Sequence, residues 1–399
     1  VMRWVRITRG IRTQRITRRA QVRDRSATGP QQGCPQVRTE WVFPPVCRRG
    51  GLRPAAVLQS QVMNDPLARL TQPFQTDSRR RRWVDVPSPV ARLIAAQYGL
   101  IDRSQCRAVG MPRGRLERLV ARGTWRPIVR GVIQADPNAV EATDWPAVAR
   151  RRAMVAALVG GPKAVLVGSA ALAMLGIQGA PLHYVPEFAL ISGGPRRHTP
   201  GVRERRLRPI PGVPGHPKTL LVNGVRVAGP LWALRQALPG VTREHAVAML
   251  DSALNTEWLR AKDVPLLIEG LAGARGVRSL RQWLRLVDGR AESPLETRAR
   301  LVCLDVGVPP DDLQRKIYDA EGRFVARCDL VWELGQGRLL IIEMDGGHHR
   351  QTGQIARDNT RDNELTGLGH VVYHLGWSHL RSETLPSTVR RELLRHGRS

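Results

Sequence analysis

Cysteine is scarce in this chain: five among 399 residues, at Cys34, Cys47, Cys106, Cys303 and Cys328. Their number is odd and no two have the spacing of zinc ligands, which argues against a disulfide scaffold or a zinc finger and fits a reducing cytoplasm. Acidic residues are few beside basic ones, 34 against 63, for a net charge of +29. That imbalance points to a polyanionic partner, nucleic acid first. Nearly all the basic residues are Arg, as a GC-rich coding bias also produces, so charge alone does not decide the partner. Arg does suit bidentate contacts to phosphate and guanine better than Lys. Long apolar runs are missing too. The most apolar stretch, 153–182, is broken by Gly160-Gly161-Pro162-Lys163 and further glycines, and reads as buried helix, strand and helix rather than a membrane span. The basic N-terminus has no apolar segment to act as a secretory signal.

What is present suffices for real cores: 42% of residues are hydrophobic, and the length predicts two or three domains of mixed α/β class. Residues 1–85 are Arg-rich, with scattered Gly and Pro and no sustained period, and read as a disordered basic extension. The basic run Arg79–Arg82 reads as part of a solvated tail, and a true start near Met63 is expected. Residues 88–135 read as three short helices, from Pro89, Asp102 and Pro112, followed by a hairpin over Trp125–Ile133. That order predicts a winged helix-turn-helix. Arg113, Arg115, Arg118 and Arg122 on the third helix, with Arg126 and Arg130 on the hairpin, fall where such a module meets DNA. Residues 145–285 read as a middle α/β region, in which Ala164–Gly176 is a strand turning into a helix capped by Ser169. A helix start of this kind can hold a phosphate, but one Gly and one Ser without Lys make a weak motif.

The strongest pattern lies in residues 291–399. Ser293-Pro294-Leu295-Glu296 opens a helix with Ser at the N-cap and Glu at the third position. Strands follow from Gln314, from Phe324 and over 337–345, then a helix over 355–368, a fourth strand over 370–375 and a last helix: an α-β-β-β-α-β order. In the run Leu339-Leu340-Ile341-Ile342-Glu343-Met344-Asp345-Gly346-Gly347-His348-His349, side chains alternate faces, so Glu343 and Asp345 point the same way. Asp329 lies on the preceding strand, where it can join them. Carboxylates crowded on apolar strands are costly unless paired, and a hard cation such as Mg²⁺ or Mn²⁺ pairs them well.

Two resemblances follow from these residues. Leu100-Ile101-Asp102-Arg103-Ser104-Gln105, Arg115-Leu116-Glu117-Arg118-Leu119-Val120-Ala121-Arg122-Gly123-Thr124-Trp125 and Arg130-Gly131-Val132 resemble the N-terminal domain of AbiEi-type antitoxins. The segment around Ser169-Ala170-Ala171 resembles the middle domain of the same family. That family implies binding of promoter DNA or support for neutralising a partner toxin. Ser293–Glu296, Gln314, Arg327-Cys328-Asp329-Leu330, Ile342–His349, Asp358–Leu365 with Gly369, and Val371–Trp377 resemble uncharacterised domains related to very-short-patch repair endonucleases, within the restriction-endonuclease-like fold.

This second resemblance implies a metal-dependent DNA nuclease in which Asp329 and Glu343 bind the ion, with Asp345 beside them. Asp345 takes the place where many relatives of the wider fold carry Lys. His349 is then the natural group to move a proton, ahead of His348. Arg361 is a clamp for the scissile phosphate or a partner for Asp358 three residues back on the helix, and Glu296 is a fourth acidic group whose capping box already explains it. The leading expectation is a cytoplasmic Mg²⁺-dependent endodeoxyribonuclease with a DNA-binding module. The alternative is a non-enzymatic, AbiEi-like regulator whose nuclease fold only grips DNA, and a weaker third reading is a scaffold in a defence or toxin–antitoxin system.

Overall fold

Helix α1 (Ser88–Ala96) begins with Pro at its second position and buries Val90 and Ile94. After strand β1 (Leu100–Asp102), the Asp102 carboxylate accepts the N–H groups of Ser104 and Gln105, and the Gln105 side chain accepts the Asp102 N–H. This reciprocal cap sets the start of α2 (Arg103–Ala108) where the sequence expects it. Helix α3 (Arg113–Ala121) buries Leu116 and Leu119 against Trp125 and Ile133. Strands β2 (Arg126–Val129) and β3 (Val132–Gln134) form the hairpin, turning at Gly131 with φ +90°. Strand β1 was not expected. It pairs antiparallel with β3, and the sheet runs β1-β3-β2.

The computed structural model describes residues 65, 67–70, 86–190, 198–206, 218–346 and 352–398, all within one compact unit, Asn64–Ser399. Met63, the Arg79–Arg82 run, His348 and His349 lie outside the described residues. Among the described residues no helix is long and apolar enough to cross a membrane.

The middle region has a mixed five-stranded sheet in the order β6-β5-β4-β8-β7. Helix α4 (Trp145–Gly160) leads into β4 (Ala164–Val167), whose four residues are all buried, and then into α5 (Gly168–Leu175). Ser169 does not cap α5. The helix starts at Gly168, its N-cap is Val167, and no side chain accepts there. Strands β5 (Glu187–Leu190), β6 (Arg203–Arg205), β7 (Thr219–Val222) and β8 (Val225–Ala228) complete the sheet. Helices α6 (Pro230–Ala237), α7 (Arg243–Asn255), α8 (Val264–Gly270) and α9 (Val277–Trp283) pack against it.

One part of the 1–85 expectation is corrected. Asp65 and the 3₁₀ turn Ala68–Leu70 belong to the middle core, where Leu67 and Leu70 are fully buried. The Asp65 carboxylate binds the Arg152 guanidinium through two contacts, 2.8 and 3.0 Å, and both side chains are buried. Arg152 also donates to the Tyr184 carbonyl, and Arg151 donates to the Leu70 carbonyl. The sequence shows no period here because a strap is held by individual anchors rather than by a repeating face.

The C-terminal region follows the α-β-β-β-α-β order: α10 (Pro294–Asp305), β9 (Asp312–Tyr318), β10 (Phe324–Gly335), β11 (Arg338–Asp345), α11 (Thr352–Gly367) and β12 (Val371–Gly376). Two short helices, α12 (Trp377–Arg381) and α13 (Thr384–Arg395), end it. The sheet runs β12-β11-β10-β9, with β9, β10 and β11 antiparallel in turn and β12 parallel to β11. Its two faces carry separate apolar clusters: Trp332, Leu340 and Ile342 with α10 and α13 on one, Val331, Ile341 and Leu365 of α11 on the other. Each such Leu or Ile contributes about 1.5–3 kcal/mol by its burial.

Candidate active site

The β10–β11 register places Leu330 opposite Ile342, and one step along each strand come Asp329 and Glu343. On the other side of Glu343, the parallel register sets His374 of β12. On the far side of Asp329 lies Gln314 of β9, between the paired residues Leu313–Leu330 and Arg315–Cys328. A line of polar residues therefore crosses the sheet, and two helices add to it. Helix α11 brings Arg361, whose Nη2 is 3.6 Å from Glu343 Oε1, and Asp362, whose Oδ2 is 2.8 Å from His374 Nε2. Helix α10 brings Glu296, which is buried.

Gln314 ties this set together. Its amide nitrogen donates to Glu296 Oε2 and to Asp329 Oδ1, both at 2.9 Å. To do so its backbone takes φ +52°, a left-handed conformation that costs a non-glycine residue on the order of 1 kcal/mol or more. The second Asp329 oxygen accepts the Met344 N–H at 2.8 Å, which bolts Asp329 to the neighbouring strand. Glu343 is left with the least compensation. It is 8% exposed, and Oε1 has no hydrogen-bond partner among the described residues. Burial, then the charge of Asp329, pushes its carboxyl up to about 8, against a smaller opposing effect of Arg361. Glu296 is raised as well, by burial and then by Asp329. Burial also drives the Cys328 thiol to about 12, with the Glu343 charge adding to it.

The residues expected from the sequence divide as follows. Asp329, Glu343, Glu296 and Arg361 come together. Asp345 is half-buried at the end of β11, opposite Gly376. The expected convergence of Asp329, Glu343 and Asp345 on one ion is not found: among the described residues no three His, Cys, Asp or Glu side chains are grouped to hold a metal. Asp329 has both oxygens engaged within the sheet, whereas Glu343 Oε1 and Asp362 Oδ1 each lack a hydrogen-bond partner among the described residues. His348 and His349 lie outside the described residues. Asp362 and His374 were missed. Their signal was present, since His374 occupies the position of the last strand that faces Glu343, but a parallel pairing cannot be read from one strand alone.

The donor set suits a hard divalent ion in type. Mg²⁺ keeps several waters and commonly takes only one or two protein carboxylates, so an Asp329–Glu343 pair in which one buried oxygen accepts no hydrogen bond meets its demands.

At the other end of the chain, Arg113, Arg118, Arg122 and Arg130 are exposed and Arg115 is half-buried. Arg113 pairs with Glu117 one turn along the helix. Arg126 departs from the expected role. Its guanidinium donates to the Arg69 carbonyl and to the Gln134 side chain, so it fastens the 68–70 turn to the hairpin instead of facing solvent.

No family model matches the chain. The uncharacterised protein Rv2248 of Mycobacterium tuberculosis strain ATCC 25618 / H37Rv is 30% identical over 201 residues, which cover 49% of this chain and 71% of the relative. The chain belongs to the family of that protein. The uncharacterised protein MT2308 of M. tuberculosis strain CDC 1551 / Oshkosh matches to the same extent. Membership of this family assigns no chemistry to the site.

Proposed function

We propose that this protein binds DNA and hydrolyses its phosphodiester bonds with a divalent metal ion held at Asp329 and Glu343. The observation that carries the reading is Glu343 itself: a buried carboxylate beside a second one, with an oxygen that accepts no hydrogen bond from a described residue and faces the Arg361 guanidinium at 3.6 Å. Such a pair is expensive in a folded chain and is explained when a cation completes it. The α-β-β-β-α-β order supports a restriction-endonuclease-like core, and the three helices with their three-stranded sheet support a winged helix-turn-helix.

Each residue then has a task. Asp329 and Glu343 hold Mg²⁺ or Mn²⁺, which when bound neutralises charge developing on the phosphate and acidifies a bound water. Gln314 fixes Asp329 and shields Glu296 from it. Arg361, whose Nε is buried without a partner among the described residues, orients the phosphate beside Glu343. The test is incubation of the purified chain with supercoiled plasmid and Mg²⁺ or Mn²⁺, beside Glu343→Ala. Nicking by the wild type that falls at least a hundredfold in the variant is expected. Equal nicking by both, or none by either, overturns the enzymatic reading.

A second reading has an observation of its own. Asp329 is fully engaged within the sheet and no three-ligand group is present among the described residues, as in a nuclease fold that only grips DNA. Under it the chain is an AbiEi-like regulator that acts with a cognate toxin. DNA retarded equally by wild type and Glu343→Ala, without cleavage, favours this reading.

A further inference from the structure

A cavity of about 700 Å³ opens beside the middle sheet, away from the residues discussed so far. Arg203, Arg205 and Arg206, on and just after edge strand β6, form one wall, with Glu204 among them; Arg235 and Gln236 of α6 form another. Four guanidinium groups around one cavity repel each other unless anions stand between them. Glu187 on β5 does part of this: its buried Oε1 accepts from Arg203 Nη1 and Arg205 Nη2, both at 2.9 Å. Among the described residues here, Glu187 and Glu204 supply two carboxylates beside four guanidiniums.

Three of these guanidiniums are also held in place. Arg203 and Arg205 each use one N–H on Glu187, and a guanidinium has five. Arg235 is anchored through Nε to the Gly270 carbonyl. On the same lining, Gln236 Oε1 is buried with no hydrogen-bond partner among the described residues. The cavity thus asks for two things in one ligand: an anion for the fork-shaped donors, and a hydroxyl or amino donor for Gln236. The nearby start of α5 does not compete for the anion. A Cβ at Gly168 would lie 2.9 Å from Glu187 Oε2, so a carboxylate already stands there and repels phosphate toward the arginines.

We infer that this cavity binds a nucleoside phosphate, with the phosphates on Arg203, Arg205, Arg206 and Arg235 and a ribose hydroxyl or base amino group donating to Gln236. Its volume falls in the range of small-ligand sites and exceeds what free phosphate would fill. The inference is independent of the chemistry at Glu343.

The test is calorimetric titration of the full chain with ATP and AMP in the presence of EDTA, with inorganic phosphate, adenosine and a short oligonucleotide as controls. Saturable nucleotide binding is expected, weakened at least tenfold by Arg206→Glu and by Arg205→Gln and unchanged by Glu343→Ala. Gln236→Leu should weaken ATP and AMP while leaving phosphate binding as it was. Thermal melts of each variant establish that it is folded. The inference is overturned by no nucleotide binding, by binding that Arg206→Glu leaves intact, or by inorganic phosphate binding as tightly as AMP. Binding of the oligonucleotide alone, sensitive to Arg206→Glu, also overturns it and makes the cavity part of a nucleic-acid path.

Discussion

A single carboxylate shows how this fold departs from its own local rules. Glu343 closes a run of apolar residues on a central strand, faces Asp329, and is neutralised only in part by Arg361 at 3.6 Å. Its folded value of about 8 lies above the ordinary 4.5, so the native state keeps a proton that the unfolded chain releases. Stability contributed at low pH is therefore lost as pH rises from about 4.5 through about 8. Glu343→Gln removes the titrating group while keeping the shape. The variant should match the wild type at pH 5 and exceed it at pH 8.5, by roughly 2–4 kcal/mol at 1.36 kcal/mol per unit. Urea denaturation at the two pH values measures this. A variant no more stable than wild type at pH 8.5 would show that burial and Asp329 do not hold Glu343 above the ordinary carboxyl range.

At the scale of elements, the 65–70 strap and the C-terminal sheet are opposite cases of legibility. The strap depends on one buried ion pair, with Arg152 3% exposed and Asp65 6% exposed in their side chains. Arg152 holds Asp65 below the usual carboxylate range, although burial pulls the other way. Asp65→Ala strands the guanidinium in the core and should cost about 3–5 kcal/mol, read as a fall in thermal midpoint. Loss of less than 1 kcal/mol would show that the strap is not part of the folded core. Nothing in Asp65-Pro66-Leu67 announces this, because its partner Arg152 is distant in the chain and unremarkable in an Arg-rich protein. The strands from Asp312 to Gly376 were legible because alternation and an apolar run are local signals. The neighbours were legible only where chain order fixed them: Asp329 beside Glu343 followed from a hairpin, whereas His374 beside Glu343 needed the parallel pairing. Gln314, only the start of a strand in the sequence pattern, is central in the structure because a left-handed backbone, invisible in composition, turns it between Glu296 and Asp329.

For the whole molecule, a charge of +29 says little until the arginines are sorted by what they touch. Many are engaged within the fold: Arg151 and Arg152 are buried, Arg300 neutralises Asp251, and Arg126 holds Arg69 and Gln134. Helix α3 differs, since Arg118 and Arg122 are exposed on one side of a helix whose other side packs on Trp125 and Ile133. If this face meets the DNA backbone, each arginine displaces about one counterion, and the logarithm of affinity falls with that of salt by about 0.9 per contact. Arg118→Ala with Arg122→Ala should therefore lower the salt slope by about 2 and weaken binding evenly across sequences. Arg126→Ala should do the reverse, leaving the slope unchanged and lowering the melting temperature, because it unpins the 68–70 turn. Fluorescence anisotropy over a range of salt concentrations separates the two. An unchanged slope in the double variant would remove α3 from the DNA interface and leave the excess charge to be explained elsewhere on the surface.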